Sequence, residues 1–307
     1  MKRRTTSPDL MPGEGMPATG PALSLSHLPV SDRRRNIRAQ WTKMLAIYWA
    51  YLKTALALQF QYRVAMAIWM IGGLLEPMIY CVVWSTVALA RGGDVAGYDT
   101  GEFAAYYIVL MVVNMWTFTW IMHEMGYRVQ HGELSAMLLK PIHPIHSDIA
   151  DNIGYKTLTL CVLIPSAAVL CLLFNPAFDF DVSDVLLFVF SLVLAYILRF
   201  FVEWALSLVA FWTTRNEAIN QMYYFFGLFL SGRIAPLDLL PGWARAIADA
   251  LPFKWSVAFP VELLLGRLDT AQIERGFLMQ LLWVVVGFAI VKLVWRRGVR
   301  KYSAVGS

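Results

Sequence analysis

His143, His146, Asp148 and Asp151 crowd one short stretch, "KPIHPIHSDIAD", and side chains of these types bind metals or move protons. A metal site needs its ligands on one helical face or in a closed turn, so that several converge on one ion. Pro141 and Pro144 interrupt the backbone here, and the HxxH spacing lacks the glutamate of a HExxH helix. Ser147, His146 and Asp151 name the parts of a nucleophilic triad, but close neighbours in sequence rarely aim at one reacting atom. The stretch therefore predicts neither metal ligands nor catalytic residues, with a membrane-embedded enzyme using His143, His146 and Asp148 kept as the alternative. Two further readings apply to it. It is a polar, solvated loop, or it is a handle for another protein, because Leu134, Met137 and Leu138 form a one-turn apolar face between Gly132 and Pro141.

A second group of candidates lies inside apolar runs. Glu76 precedes Pro77, while Arg199 and Glu203 stand one helical turn apart. A charge at such depth costs roughly 2.5 to 3.5 kcal/mol on the insertion scale, so each group faces a partner or a wet cavity. Arg199 pairs with Glu203 or with Glu76, fixing helix packing, or Glu76 lines a pathway and meets cationic or polar cargo. Pro77 is a candidate kink. Met222, Tyr223 and Phe226 offer an adaptable surface to apolar ligands, or simply pack.

The elements that must position these residues follow from composition. The chain of 307 residues is 58% hydrophobic and 15% charged, with mean hydropathy +0.55, which excludes an ordinary soluble domain. The excess is gathered into separate runs of about 17 to 25 residues, the length of a membrane-crossing helix. Helices satisfy their own backbone where lipid offers no partner, and the alternation of a membrane barrel is absent. Cys81, Cys161 and Cys171 all fall in apolar runs without CxxC spacing and read as small packing residues. The net charge of +5 sits mainly at the two chain ends, which suits a membrane protein better than a nucleic-acid binder.

Residues 1–36 read as a disordered cytoplasmic tail, rich in Pro, Gly, Ser and Thr and closing on Arg33, Arg34 and Arg35. Over 37–61 the apolar residues Trp41, Met44, Leu45, Tyr48, Leu52, Ala55 and Leu56 recur at three- and four-residue steps, which predicts an amphipathic helix lying in the interface beside lipid headgroups. Crossings are predicted over 63–89, 102–125, 157–174, 185–212, from 217 onward, and over 276–295. The fifth run is broken by Gly232, Pro236, Pro241 and Gly242, and "WSVAFPVELLLG" is too short to span, so 232–275 reads as re-entrant. Lys and Arg mark the ends, the 126–156 loop with Arg128, Lys140 and Lys156, and the loop with Arg215 as the cytoplasmic side. No inverted repeat is evident, which disfavours an ion-coupled carrier using Glu76 and Arg199. No GxxxxGK[ST] loop occurs, so nucleotide energy must come from another subunit.

"YRVQHGELSAMLLKPIHP", "FLSGRIAPLDLLPGWARAIADALPF" and "FPVELLLG" together resemble ABC-2 type permeases, the half-size six-helix membrane subunits related to antibiotic and viologen exporters. The resemblance runs from about Trp41 to the end. It implies an all-α, type V exporter-like domain over 37–307: an interfacial helix, six crossings, a coupling helix between crossings two and three, and re-entrant helices between crossings five and six. It further implies that Arg128, Gly132, Glu133, Leu134, Met137, Leu138, Lys140 and Pro141 form the docking loop for ABC ATPase subunits. Those separate chains would carry the ATP and Mg²⁺, this chain none. A second copy or a paralogous permease would complete the assembly in a bacterial plasma membrane, with both termini cytoplasmic and a small hydrophobic or amphiphilic cargo.

Overall fold

A computed structural model describes residues 30–213 and 216–302, with side chains of 30–41, 63, 66, 67, 69 and 70 outside that description. Most of the expected tail and Arg215 therefore lie outside the described residues. The chain divides into two units at Ile47 and Tyr48. The described part of the first unit is the start of α1 (Val30–Gln61). This helix begins earlier than the periodicity predicts, because no Pro or Gly interrupts Val30 to Gln61.

The second unit is helical throughout. The rest of α1 is followed by α2 (Arg63–Ala90), α3 (Thr100–Thr117), α4 (Ile121–Gln130), α5 (Glu133–Leu138), α6 (Ile145–Phe174), α7 (Val182–Ser207), α8 (Glu217–Leu230), α9 (Gly242–Ala250), α10 (Pro252–Ser256), α11 (Ala258–Leu264) and α12 (Thr270–Lys301). Short 3-10 turns lie at Leu208–Phe211 and Leu237–Leu239. Among the described residues the only bridge between extended segments joins Val95 and Tyr98.

Five stretches are long and apolar enough to cross a membrane: Ile71–Ala90, Thr100–Gln130, Ile145–Phe174, Val182–Phe211 and Thr270–Lys301. The protein is thus a multi-pass, all-helical membrane protein. α8 is not among these stretches. Its 14 residues reach about 21 Å at 1.5 Å per residue, against a hydrocarbon core of about 30 Å. Gly232, in the left-handed conformation at φ 82°, and the following Pro236 end it.

α7 is the central element, packed on α3, α4, α10, α11 and α12. Two helices begin with reciprocal caps, Asp99 with Glu102 and Asp269 with Gln272, and α7 begins with Asp184 accepting from the Asp181 N–H. One apolar cluster joins α3 to α11 through Phe103, Tyr106, Tyr107 and Val261. Another joins α4, α5, α7 and α12 through Met125, Leu134, Trp204, Phe211 and Val291. Gln280 cross-ties the bundle, donating to the Ser191 and Trp255 carbonyls at 3.2 and 2.9 Å. Such a tie is expected of a buried amide with no water to satisfy it.

Candidate functional site

The polar connection is narrower than 126–156, because α4 continues to Gln130 and α6 begins at Ile145. Gly132 turns the chain between α4 and α5 at φ 74°, a left-handed conformation open to glycine. The six residues of α5 could not hold a helix unaided. Leu134 holds it: fully buried, it inserts beside Trp204, Leu208, Phe211 and Val291, with Met137 and Leu138 packed on the same cluster. These three were candidates for an exposed docking face, and the structure turns them inward. The apolar stripe found by periodicity is the one that anchors the helix. Arg128 also leaves the surface, pairing with Asp148 at 2.5 Å and Glu124 at 3.3 Å. What faces outward is Glu133, Ala136, Leu139, Lys140 and Pro141, and Leu139 is 88% exposed.

The histidines and aspartates disperse. His143 lies against Trp295 and Trp204, with ring centroids 4.4 and 5.6 Å away. Burial, then the neighbouring His146, hold its pKa below the ordinary imidazole value, against an opposing pull from Asp148. His146 Nδ1 shares a 2.5 Å hydrogen bond with the Tyr48 hydroxyl. Asp148 accepts from Arg128 and from Trp204 Nε1, the latter at 2.9 Å. Ser147 donates to the Pro144 carbonyl, so no Ser/His/Asp relay is assembled. Among the described residues no three His, Cys, Asp or Glu side chains converge on a metal position.

Inside the bundle, Arg199 and Glu203 pair at 2.7 Å. Arg199 Nη1 also donates to Asn114 and Thr117 of α3, each at 3.1 Å. Glu203 accepts in addition from Thr119 and from the Tyr223 hydroxyl of α8. This network holds the place where α3 breaks from α4. There the Phe118 carbonyl takes a hydrogen bond from Lys156 Nζ at 3.0 Å, and the ammonium lies 4.4 Å from the Tyr196 ring centroid. Glu76 does not reach Arg199; it pairs with Arg233, just beyond α8, at 2.5 Å. Glu76, Arg199 and Arg233 line one cavity of about 530 Å³, walled by Tyr80, Phe118 and Tyr224. Met222 and Phe226 are not in that wall and stand 59% and 46% exposed.

A family model described as ABC-2 family transporter protein matches residues 74–306. The chain belongs to the ABC-2 transporter family. No curated protein matches it. In this ABC-2 chain the matched region takes in the α5 turn, the Arg199 network and most of the cavity wall, and leaves out α1. The chain is accordingly a membrane transport component.

Sequence reasoning missed several participants in the ABC-2 fold's polar interior. Arg233 falls in a loop-like "SGRIAP" segment and meets Glu76 across 157 positions, which no local pattern reports. Lys156 reads as a cytoplasmic loop charge, yet it is 4% exposed within α6. Its signal is a lysine immediately before the apolar run 157–174, within reach of one more helical turn. Asn114 and Thr119 are small polar residues in an apolar run, a weak sign of contact between helices.

Proposed function

We propose that the chain is the permease subunit of an ATP-driven exporter, docked through the α5 turn on separate ABC ATPase subunits that hold ATP and Mg²⁺. The observation that carries this reading is the construction of α5: Leu134 anchors it in the bundle and Leu139 stands out beside Glu133, Lys140 and Pro141. An exposed leucine on a polar turn is a natural knob for a groove on another protein. The anchored side passes load to α7 and α12.

The rest of the assembly follows from this reading. α8 is the fifth of six crossings, short because the chain folds back through α9, α10 and α11 as a re-entrant segment over 232–275. Both termini and α5 face the cytoplasm of a bacterial cell, in line with the basic residues at α5 and at the end of α12. α1 lies in the lipid interface. A second copy or a paralogous permease shares the pathway, and the cargo is a small hydrophobic or amphiphilic molecule suited to the aromatic cavity around Glu76, Arg199 and Arg233. Membership of a transporter family supports the class of activity.

The test is Leu139→Asp in the chain co-expressed with its ATPase. Membrane insertion and thermal stability stay unchanged, because the residue touches solvent, while copurification of the ATPase is lost. Leu134→Asp, which buries a charge, lowers stability and serves as the contrast. A Leu139→Asp chain that still copurifies with the ATPase and transports normally would defeat the reading.

A further inference from the structure

The segment from Leu237 to Arg275 encloses another cavity, of about 460 Å³, between α9, α10, α11 and the start of α12. Glu262 on α11 lines it and is only 6% exposed. Among the described residues no side chain makes a hydrogen bond or ion pair to its carboxylate. The nearby cations are engaged elsewhere. Lys254 pairs with Asp249 at 2.6 Å, Arg275 with the same Asp249 at 3.3 Å, and Arg267 with Glu102 at 3.2 Å. The residue is largely buried while its oxygens open onto the cavity, and a carboxylate so placed with no cation of its own is costly, which points to a positively charged group entering the cavity from outside the chain.

The surroundings define that group. Convergent metal ligands are absent among the described residues, whereas Glu262 and the Trp255 ring, which the Lys254 ammonium already faces at 5.0 Å and the Arg275 guanidinium at 5.9 Å, line one cavity whose chemistry suits an ammonium with its three N–H donors. The mouth has the opposite character. Arg245 and Arg275 line the cavity, Arg245 is exposed, and Arg275 keeps 60% of its side chain in solvent. Guanidinium groups at a rim suit a phosphate or a carboxylate. A ligand satisfying both ends is a zwitterion whose ammonium and anion are a few bonds apart.

The outer face of α9 indicates where the ligand comes from. Trp243 and Ile247, one turn apart, are 70% and 43% exposed, next to the cavity-lining Arg245 and Ala246. An exposed tryptophan on a short amphipathic helix is characteristic of the membrane–water boundary. We propose that this cavity binds a zwitterionic headgroup of the phosphoethanolamine type, its primary ammonium on Glu262 and its phosphate on Arg245 and Arg275.

The full chain, purified from bilayers with equal phosphatidylethanolamine, phosphatidylcholine and phosphatidylglycerol, tests this by native mass spectrometry. The wild type retains phosphatidylethanolamine over the other two; phosphatidylcholine has the charge but no N–H donors. Glu262→Gln keeps the shape and loses the charge, so that preference falls about tenfold or more. Arg245→Ala, an exposed change with little bearing on folding, weakens retention without inverting the preference. Soluble O-phosphoethanolamine separates the sources: displacement of the bound lipid shows that the headgroup alone suffices, whereas retention only of the diacyl form assigns the site to membrane lipid. Equal retention of the three lipids with no O-phosphoethanolamine binding, or an unchanged preference in Glu262→Gln, overturns the proposal.

Discussion

Glu76, Lys156, Arg199 and Glu203 lie in apolar spans, where a membrane protein tolerates charge least, and each has a partner on another element or one turn away, that of Glu76 being Arg233 just beyond α8. For Glu76, Arg199 and Glu203 the cost makes the charge legible, since a lone Glu or Arg in an apolar run announces a partner, whereas Arg233 and Lys156 fall outside the apolar runs read from the sequence. The partner's identity is not legible, because Arg199 to Glu203 is a local i,i+4 step while Glu76 to Arg233 depends on how α8 ends. Glu262 differs from them in having no side-chain hydrogen bond or ion pair among the described residues. Burial pushes its carboxyl up to about 7; Lys254 and Arg267 pull it down, Asp238 and Asp249 push it up. A raised folded-state value means the protonated acid is the form the fold favours. Its stabilisation is complete below the unfolded value near 4.5 and is lost as pH rises through about 7. The expected loss between pH 5 and pH 8 is on the order of 3 kcal/mol. Thermal unfolding of the detergent-purified chain over that interval checks it: the wild type loses stability with rising pH, and Glu262→Gln flattens the dependence. Equal slopes for the two proteins would refute the assignment.

Among the helices, α12 illustrates how packing is written into spacing that hydropathy alone does not expose. Gly276, Gly287 and Gly298 recur every eleven residues, three turns of helix, and so share a face. A Cβ on them would come within 1.9 Å of the Phe259 ring, 3.0 Å of Phe201 Cβ and 2.2 Å of the Phe211 ring respectively. In lipid, where apolar surface gains little from burial, close approach of this kind is what holds helices together. Phe211 is itself wedged among Trp212, Trp295 and Tyr302, so its ring has little room to yield. Gly298→Ala therefore gains about 1 kcal/mol of helix propensity and loses about 1 to 3 kcal/mol to overpacking, for a lower unfolding midpoint. Gly72→Ala, with nothing within 4 Å of the new methyl, is the control and keeps or raises the midpoint. A Gly298→Ala midpoint at or above wild type would refute the wedge. The five long spans were legible because each contains a stretch of about 18 mostly apolar residues, enough to raise its hydropathy despite the few charges within it. The break between α3 and α4 was not, since Phe118, Thr119 and Trp120 are no helix breakers; Lys156 and Glu203 hold it from other helices. The facing of α5 was not either, because in a six-residue helix the tertiary anchor, not the pattern, decides which leucine is outside.

Under the proposed docking of an ATPase on α5, the route of force through the second unit would follow from where that unit is stiff. At one end of α12, α5 is fastened two ways, by Leu134 in the cluster of Trp204, Phe211 and Val291 and by Ser135 to the Tyr302 hydroxyl at 3.0 Å, and the preceding α4 is tied by Arg128 through Asp148 to Trp204. The other end of α12, about 33 Å away by the 22 residues from Gly276 to Gly298 at 1.5 Å each, packs on α11 through Phe259. Between them α3 and α4 are discontinuous, held at 118–120 by side chains of α6 and α7, which makes this join the proposed pivot and α7 and α12 the stiff elements. A load applied at Leu139 then moves α5, α7 and α12 as one body, and relative motion is taken up at 118–120, beside the cavity of Glu76, Arg199 and Arg233. Spin labels at Ala136→Cys and Arg296→Cys report the rigid body, and labels at Ala136→Cys and Tyr80→Cys report across the break. In the permease assembled with its ATPase, adding ATP leaves the first distance within about 2 Å, whereas a one-turn slip of α5 past α12 would change it by about 5 Å. The second distance changes. A first distance that shifts by a helical turn while the second stays fixed would mean that α5 slides on the bundle instead of driving it, and the coupling would have to run through the connection itself.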